Sequence, residues 1–179
     1  DLVINPGPMN ACADLFDITI TGRQGHGARP HEAIDAVVVG SHLVAALQTI
    51  ASREIDPADP CVVSIGRFQA GDAANVIAGQ ATLSGTCRAQ SERTRQVIHG
   101  AIGRICRAIG ETFRAEVTLT MHAGTPALVN SPEMAALAAA AGILEPLRQL
   151  RSSTSMAEFL QQHYLRLTPD LLEQVLKRI

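Results

Sequence analysis

Ten consecutive residues, Gly22-Arg23-Gln24-Gly25-His26-Gly27-Ala28-Arg29-Pro30-His31, gather two imidazoles into a glycine-rich stretch. Glycines on both sides of His26 leave its ring without bulky neighbours, and Pro30 stiffens the way out. An imidazole titrates near neutral pH, which suits proton transfer or stabilisation of an oxyanion. The same pattern also arises where a loop merely exposes a histidine, so the ten residues by themselves leave both readings open. The flanks say how such a ring would be held. Residues 16–21 alternate as a strand does, and a long apolar stretch of helical period follows the loop. His26 is therefore placed on a strand-to-helix loop.

Composition narrows the class of protein. The 179 residues are 46% hydrophobic but only 3% aromatic, which predicts an aliphatic core of Val, Ile, Leu and Ala. A net charge of -2 without a basic block argues against nucleic acid or an anionic membrane as partner. Apolar runs such as 135–143 are too short for a bilayer span and no leader pattern is seen, so a cytoplasmic protein is expected. Cys12, Cys61, Cys87 and Cys106 form no C-x-x-C pair and are expected as reduced thiols in or near the core. The start, Asp1-Leu2-Val3-Ile4, begins in mid-pattern and predicts a piece of a longer polypeptide.

Taken in order, residues 1–14 carry Asn, Pro and Gly and read as a linker. A first strand is expected at about 15–21. A helix over about 31–53 follows, with Ala36, Val39, Leu43, Leu47 and Ile50 on its apolar side and Asp35, His42 and Thr49 opposite. A second strand is expected at 61–68, and a loop of small residues then ends at Asn75. In a third strand, 80–89, Ala81, Leu83, Gly85 and Cys87 alternate with Thr82, Ser84, Thr86 and Arg88, which puts Arg88 on the polar side of a strand end. Ser91 caps a second helix whose polar face, with Arg95, His99 and Arg104, is expected in solvent. A fourth strand over 115–121 closes the unit, and His122 reads as its end. Strand, helix, strand, strand, helix, strand is the βαββαβ order of a ferredoxin-like α+β sandwich, one four-stranded antiparallel sheet with both helices on one face. Residues 125–179 read as a helical tail, beginning with a helix over 131–141 capped by Ser131 with Pro132 at its first position.

Several ordered motifs carry a family resemblance over about residues 6–132. Gly25-His26-Gly27-Ala28-Arg29-Pro30-His31, Ser52-Arg53-Glu54, Gly71 with Asn75-Val76-Ile77, and Gly85-Thr86-Cys87-Arg88 resemble the dimerisation or lid domain of M20-type metallo-amidohydrolases, in the branch of hippurate hydrolases and indole-3-acetyl-amino-acid hydrolases. The resemblance implies that His26 enters the partner subunit's active site and polarises the scissile carbonyl, that Asn75 hydrogen-bonds substrate, and that Arg88 grips a substrate carboxylate. It implies an N-acyl amino acid substrate and a homodimer. It also implies two divalent metal ions, zinc or manganese in class, held by a catalytic domain outside this chain, so that 15–124 is the lid, 125–179 a remnant of that domain, and no metal or other cofactor is expected here. The chain departs from the family pattern at Gly27, usually Ala, and Ala78, usually Pro. Glu158 and His163 do not make a metal site by spacing or partner count.

Two other classes of reading stand beside this one. A stand-alone ferredoxin-like module would bind a small ligand or regulate a partner without catalysis. A truncated gene product would carry a non-native tail. Under the lid reading this chain is inactive alone and its own task is association, through the edge strand at 61–68.

Overall fold

The computed structural model describes residues 6–133, 135 and 136, and Pro8–Leu128 form one compact unit. Its frame is β1 (Ala13–Thr21), α1 (Ala36–Thr49), β2 (Cys61–Ala70), β3 (Gln80–Ala89), α2 (Glu92–Phe113) and β4 (Glu116–Thr125). The sheet runs β2-β3-β1-β4 with every neighbouring pair antiparallel, which is the ferredoxin-like arrangement. β2 and β4 are its edges. A one-residue register shift between Ile65 and Arg67 bulges the edge strand β2.

Alternation decides what each face does. Phe16, Ile18 and Ile20 of β1 with Ala81, Leu83 and Cys87 of β3 lie buried under the helices. Against them α1 sets Ala36, Val39, Leu43 and Leu47, and α2 sets Ile98, Ala101, Ile102 and Ile105. The result is the aliphatic core expected, with Phe16 as a fully buried ring. The other face of the sheet presents Asp17, Thr19, Thr82, Ser84, Thr118 and Thr120, and its polarity lets water cover it.

Several boundaries differ from expectation, each for a local reason. Residues 1–14 are not all linker: Gly7–Asn10 is a short strand and Cys12 is buried, its amide donating to the Ala89 carbonyl at 2.8 Å. The helix expected from residue 31 starts at Ala36, because Asp35 is its N-cap and accepts from the amides of Val37 and Val38. Before it, Pro30–Glu32 makes a separate single turn, and after it Ile50–Glu54 winds as a wider π-type turn. Ser91 does cap α2, accepting from Thr94. β4 runs to Thr125, beyond the predicted end at 121. Of the second compact unit, Asp1–Gly7 with Val129–Ile179, residues 132, 133, 135 and 136 are helical, which agrees with the start of the helix expected over 131–141. The rest of the predicted tail lies outside the described residues.

Candidate functional site

The His26 loop is zipped to the loop before β3. Gly25–His26 pairs antiparallel with Val76–Ile77, the Gly27 amide donates to the Asn75 carbonyl at 2.9 Å, and the Gly22 amide donates to the Gly79 carbonyl at 2.8 Å. Arg23 and Ile34 exchange two further backbone bonds of 3.0 Å across the base of the loop. These bonds hold an otherwise solvent-facing segment against the end of the sheet. Gly27 lets the two loops approach closely, since a Cβ there would lie 2.9 Å from the Asn75 carbonyl oxygen and the pair would have to open slightly to admit the alanine more usual in the family.

His26 and Asn75, far apart in sequence, are thus brought together, and both are exposed. Among the described residues, the ring of His26 is tied at one nitrogen: the Ala28 amide donates to Nδ1 at 3.1 Å. His31 is not part of this arrangement and lies within 3.6 Å of the exposed Glu32. A broad open concavity of about 1010 Å³ adjoins the loop, lined by Thr21, Gln24, Phe68, Asp72 and Val76 among others, but neither His26 nor Asn75 lines it.

Arg88 is elsewhere. β1 and β3 run antiparallel, with Thr21 opposite Gln80 and Asp14 opposite Cys87, so the His26 loop leaves from one end of the sheet and Arg88 stands near the other. The seven-residue step from Ala81 to Arg88 spans roughly 24 Å at strand rise. Arg88 lies between the buried Cys87 and Ala89, so alternation directs its half-buried side chain to the open face, beside Val62 of β2.

Beneath that second end is a cluster the sequence did not reveal. Asp14 is fully buried and accepts from Arg95 Nε at 2.7 Å, Arg95 Nη2 at 2.6 Å, His99 Nε2 at 2.8 Å and the Gly124 amide at 2.9 Å. Arg95 and His99, expected in solvent, instead turn inward from α2. The hydrogen bond from Arg95, working against burial, holds the Asp14 carboxyl well below the ordinary carboxylate value. Asp14, Cys87 and His99 also bring possible metal-ligating atoms within 4.8 Å of one another. They do not fit a metal ion. Both carboxylate oxygens face a guanidinium that already supplies the positive charge, and burial pushes the Cys87 thiol up to about 11, away from the thiolate a metal needs. Burial does the same to Cys106, likewise to about 11, and all four cysteines are unpaired.

On the open face, Ser84 Oγ donates to Asp17 at 2.6 Å and His122 Nε2 lies 2.8 Å from its other oxygen. His122, read as a strand end, is thus a cross-strand partner of Asp17. The serine and the histidine both bind the carboxylate and not each other, so this is not a nucleophile-activating relay.

These features define an α+β domain of ferredoxin-like topology that displays a histidine from one end of its sheet. Residues 13–113 match the peptidase dimerisation domain of the M20 family, and the chain belongs to that family. It is 39% identical to the N-acyl-L-amino acid amidohydrolase of Geobacillus stearothermophilus over 127 residues, 71% of this chain and 34% of that protein. It is 37% identical to the hippurate hydrolase of Campylobacter jejuni over 130 residues, 73% of this chain and 33% of that protein. Among solved structures it resembles the Bacillus subtilis YXEP protein, described as a dinuclear metal-binding M20 peptidase, with a TM-score of 0.60, 27% identity, and coverage of 80% of this chain and 34% of the other. The chain therefore spans about a third of the length of these relatives.

Proposed function

We propose that this dimerisation domain serves an amidohydrolase of the hippurate hydrolase and indole-3-acetyl-amino-acid hydrolase branch, which cleaves N-acyl amino acids. In that enzyme His26 acts as a lid residue, donating to the scissile carbonyl oxygen as it gains charge. Asn75, held beside it, hydrogen-bonds the substrate, and Arg88 grips the substrate carboxylate with two parallel donors. On this reading the paired divalent ions are held by the catalytic domain of the full-length enzyme.

The observation that carries this reading is the separation of His26 and Asn75 from Arg88. One chain cannot bring them to one small substrate, but a homodimer can. Two β2 edges pairing antiparallel about a two-fold axis set the Cys61 end of one strand beside the Ala70 end of the other. The His26 end of one lid then flanks the Arg88 end of its partner, with the two β3 strands three strand spacings, about 14 Å, apart. The choice of β2 over β4 rests on exposed apolar surface. Val62 and Phe68 of β2 are exposed, as is Val37, which shares with Val44 the flank of α1 turned away from the His42–Phe113 contact between the helices.

The test is His26→Ala in the full-length enzyme. Turnover is expected to fall by a factor of about 100 or more, the scale of losing one oxyanion donor, with the melting temperature unchanged. A free-standing binding module predicts no loss, and unchanged turnover refutes the lid reading.

A further inference from the structure

We infer that the His26 loop fixes the tautomer of its own imidazole: the main-chain amide of Ala28 holds Nδ1 as an acceptor, so the ring proton sits on Nε2 and faces outward as a donor. A backbone N–H can donate and cannot accept, so the ring nitrogen that accepts from it at 3.1 Å must be the unprotonated one. A neutral imidazole has one ring proton, which leaves Nε2 to carry it.

The surrounding backbone makes this arrangement stiff. Three successive amides are each committed to a fixed acceptor: Gly27 to the Asn75 carbonyl at 2.9 Å, Ala28 to the ring, and Arg29 to the His26 carbonyl at 2.8 Å. Among the described residues, Nε2 has no partner. A ring arranged in this way can donate to an oxygen atom but offers no outward lone pair, so His26 is built as a hydrogen-bond donor and not as a base. Ala28 is therefore a positioning residue that acts through its main chain, and proline is the one residue at 28 that removes the donor. The inference rests on the reading of His26 as the carbonyl-polarising group, and its test reads the ring itself.

The experiment is a long-range ¹H–¹⁵N correlation spectrum of the ¹⁵N-labelled 179-residue chain at about pH 9, where imidazoles are neutral. His26 is assigned by the signals lost in His26→Gln. The expected spectrum has widely split ring nitrogens with the proton on Nε2, the tautomer ratio being displaced roughly tenfold by one ordinary hydrogen bond. Ala28→Pro should narrow the splitting to that of the urea-unfolded chain, whose free imidazoles set the intrinsic tautomer ratio, and Ala28→Gly, which keeps the N–H, should retain the wider value. A dominant Nδ1–H form, or a wild-type splitting no wider than that of the unfolded chain, overturns the inference. Should Ala28→Pro fail to fold, the comparison of the wild-type and Ala28→Gly spectra with the unfolded chain still decides. The Nε2–H form together with full turnover of the His26→Ala enzyme would overturn the catalytic reading while leaving the tautomer standing.

Discussion

Removing the Asp14 carboxylate tests the buried cluster most directly. Asp14→Ala deletes the acceptor of four hydrogen bonds and leaves the Arg95 guanidinium, itself only 12% exposed, without its buried counterion. Breaking a buried ion pair from one side costs about 3–5 kcal/mol. Arg95 keeps one bond to Glu92 at 3.2 Å, and that carboxylate is exposed, which places the expectation near the lower end, about 3 kcal/mol. Urea unfolding of the chain reads this directly, and Asp14→Ala with Arg95→Met should recover part of the loss, because the stranded charge is then gone. The pH dependence has a fixed sign. Since the folded carboxyl is held below its ordinary value, its contribution is complete above the unfolded value of about 3.9 and is lost as pH falls below it. The wild type should thus lose stability steeply below about pH 4, and Asp14→Ala should lose less over the same range. A loss under about 1 kcal/mol on mutation, or parallel acid profiles, would refute the view that this cluster ties α2 and β4 to β1.

Other consequences follow from close approaches and from the exposed edge. Gly85→Ala would place a methyl against the buried Phe16 ring and 2.5 Å from the Ser64 carbonyl oxygen, so a loss of about 1–3 kcal/mol is expected in urea unfolding. Val37→Glu, on the exposed flank of α1, should weaken self-association at least about tenfold in sedimentation while circular dichroism stays the same; an unchanged midpoint would assign the interface elsewhere.

The sequence displayed the frame because local signals agreed there. Period-2 alternation in β1 and β3, helical spacing in α1 and α2, and Ser91 before α2 all pointed the same way, and the topology followed from their order. It misplaced the start of α1 because Asp35 has two uses, as a polar-face residue and as a cap, and periodicity cannot choose between them. It missed the Asp14 cluster for a deeper reason. Asp14 belongs to a run that reads as linker, and Arg95 and His99 fall on the polar side of an amphipathic helix, where solvent is the ordinary expectation. Only the pairing of β1 with β3 and β4 shows that this polar side meets a buried carboxylate. Asp14 among buried Cys12 and Phe16 was the available signal, a charge on the apolar side of an alternating strand.

The placement of that cluster bears on how the two ends of the sheet divide their work. At the Thr21 end the chain leaves the sheet, and main-chain bonds from Gly22, Arg23, Ile34 and Gly27 fix the base of the His26 loop. At the other end Arg88 stands on a strand whose neighbour Cys87 is paired with Asp14, and the buried ion pair anchors that neighbour to α2. Under the role proposed for Arg88, a planar fork on a carboxylate tolerates little error in angle, and a rigid strand suits it. Under the role proposed for His26, entry into another subunit's site gains from a displayed loop that is stiff at its base. The expectation is therefore that variants of the Asp14 cluster disturb the Arg88 end before the His26 end. Hydrogen exchange of Asp14→Asn would read this as faster exchange along residues 86–89, with the amides of Gly22 and Gly27 unchanged; uniform acceleration at both ends would refute the division.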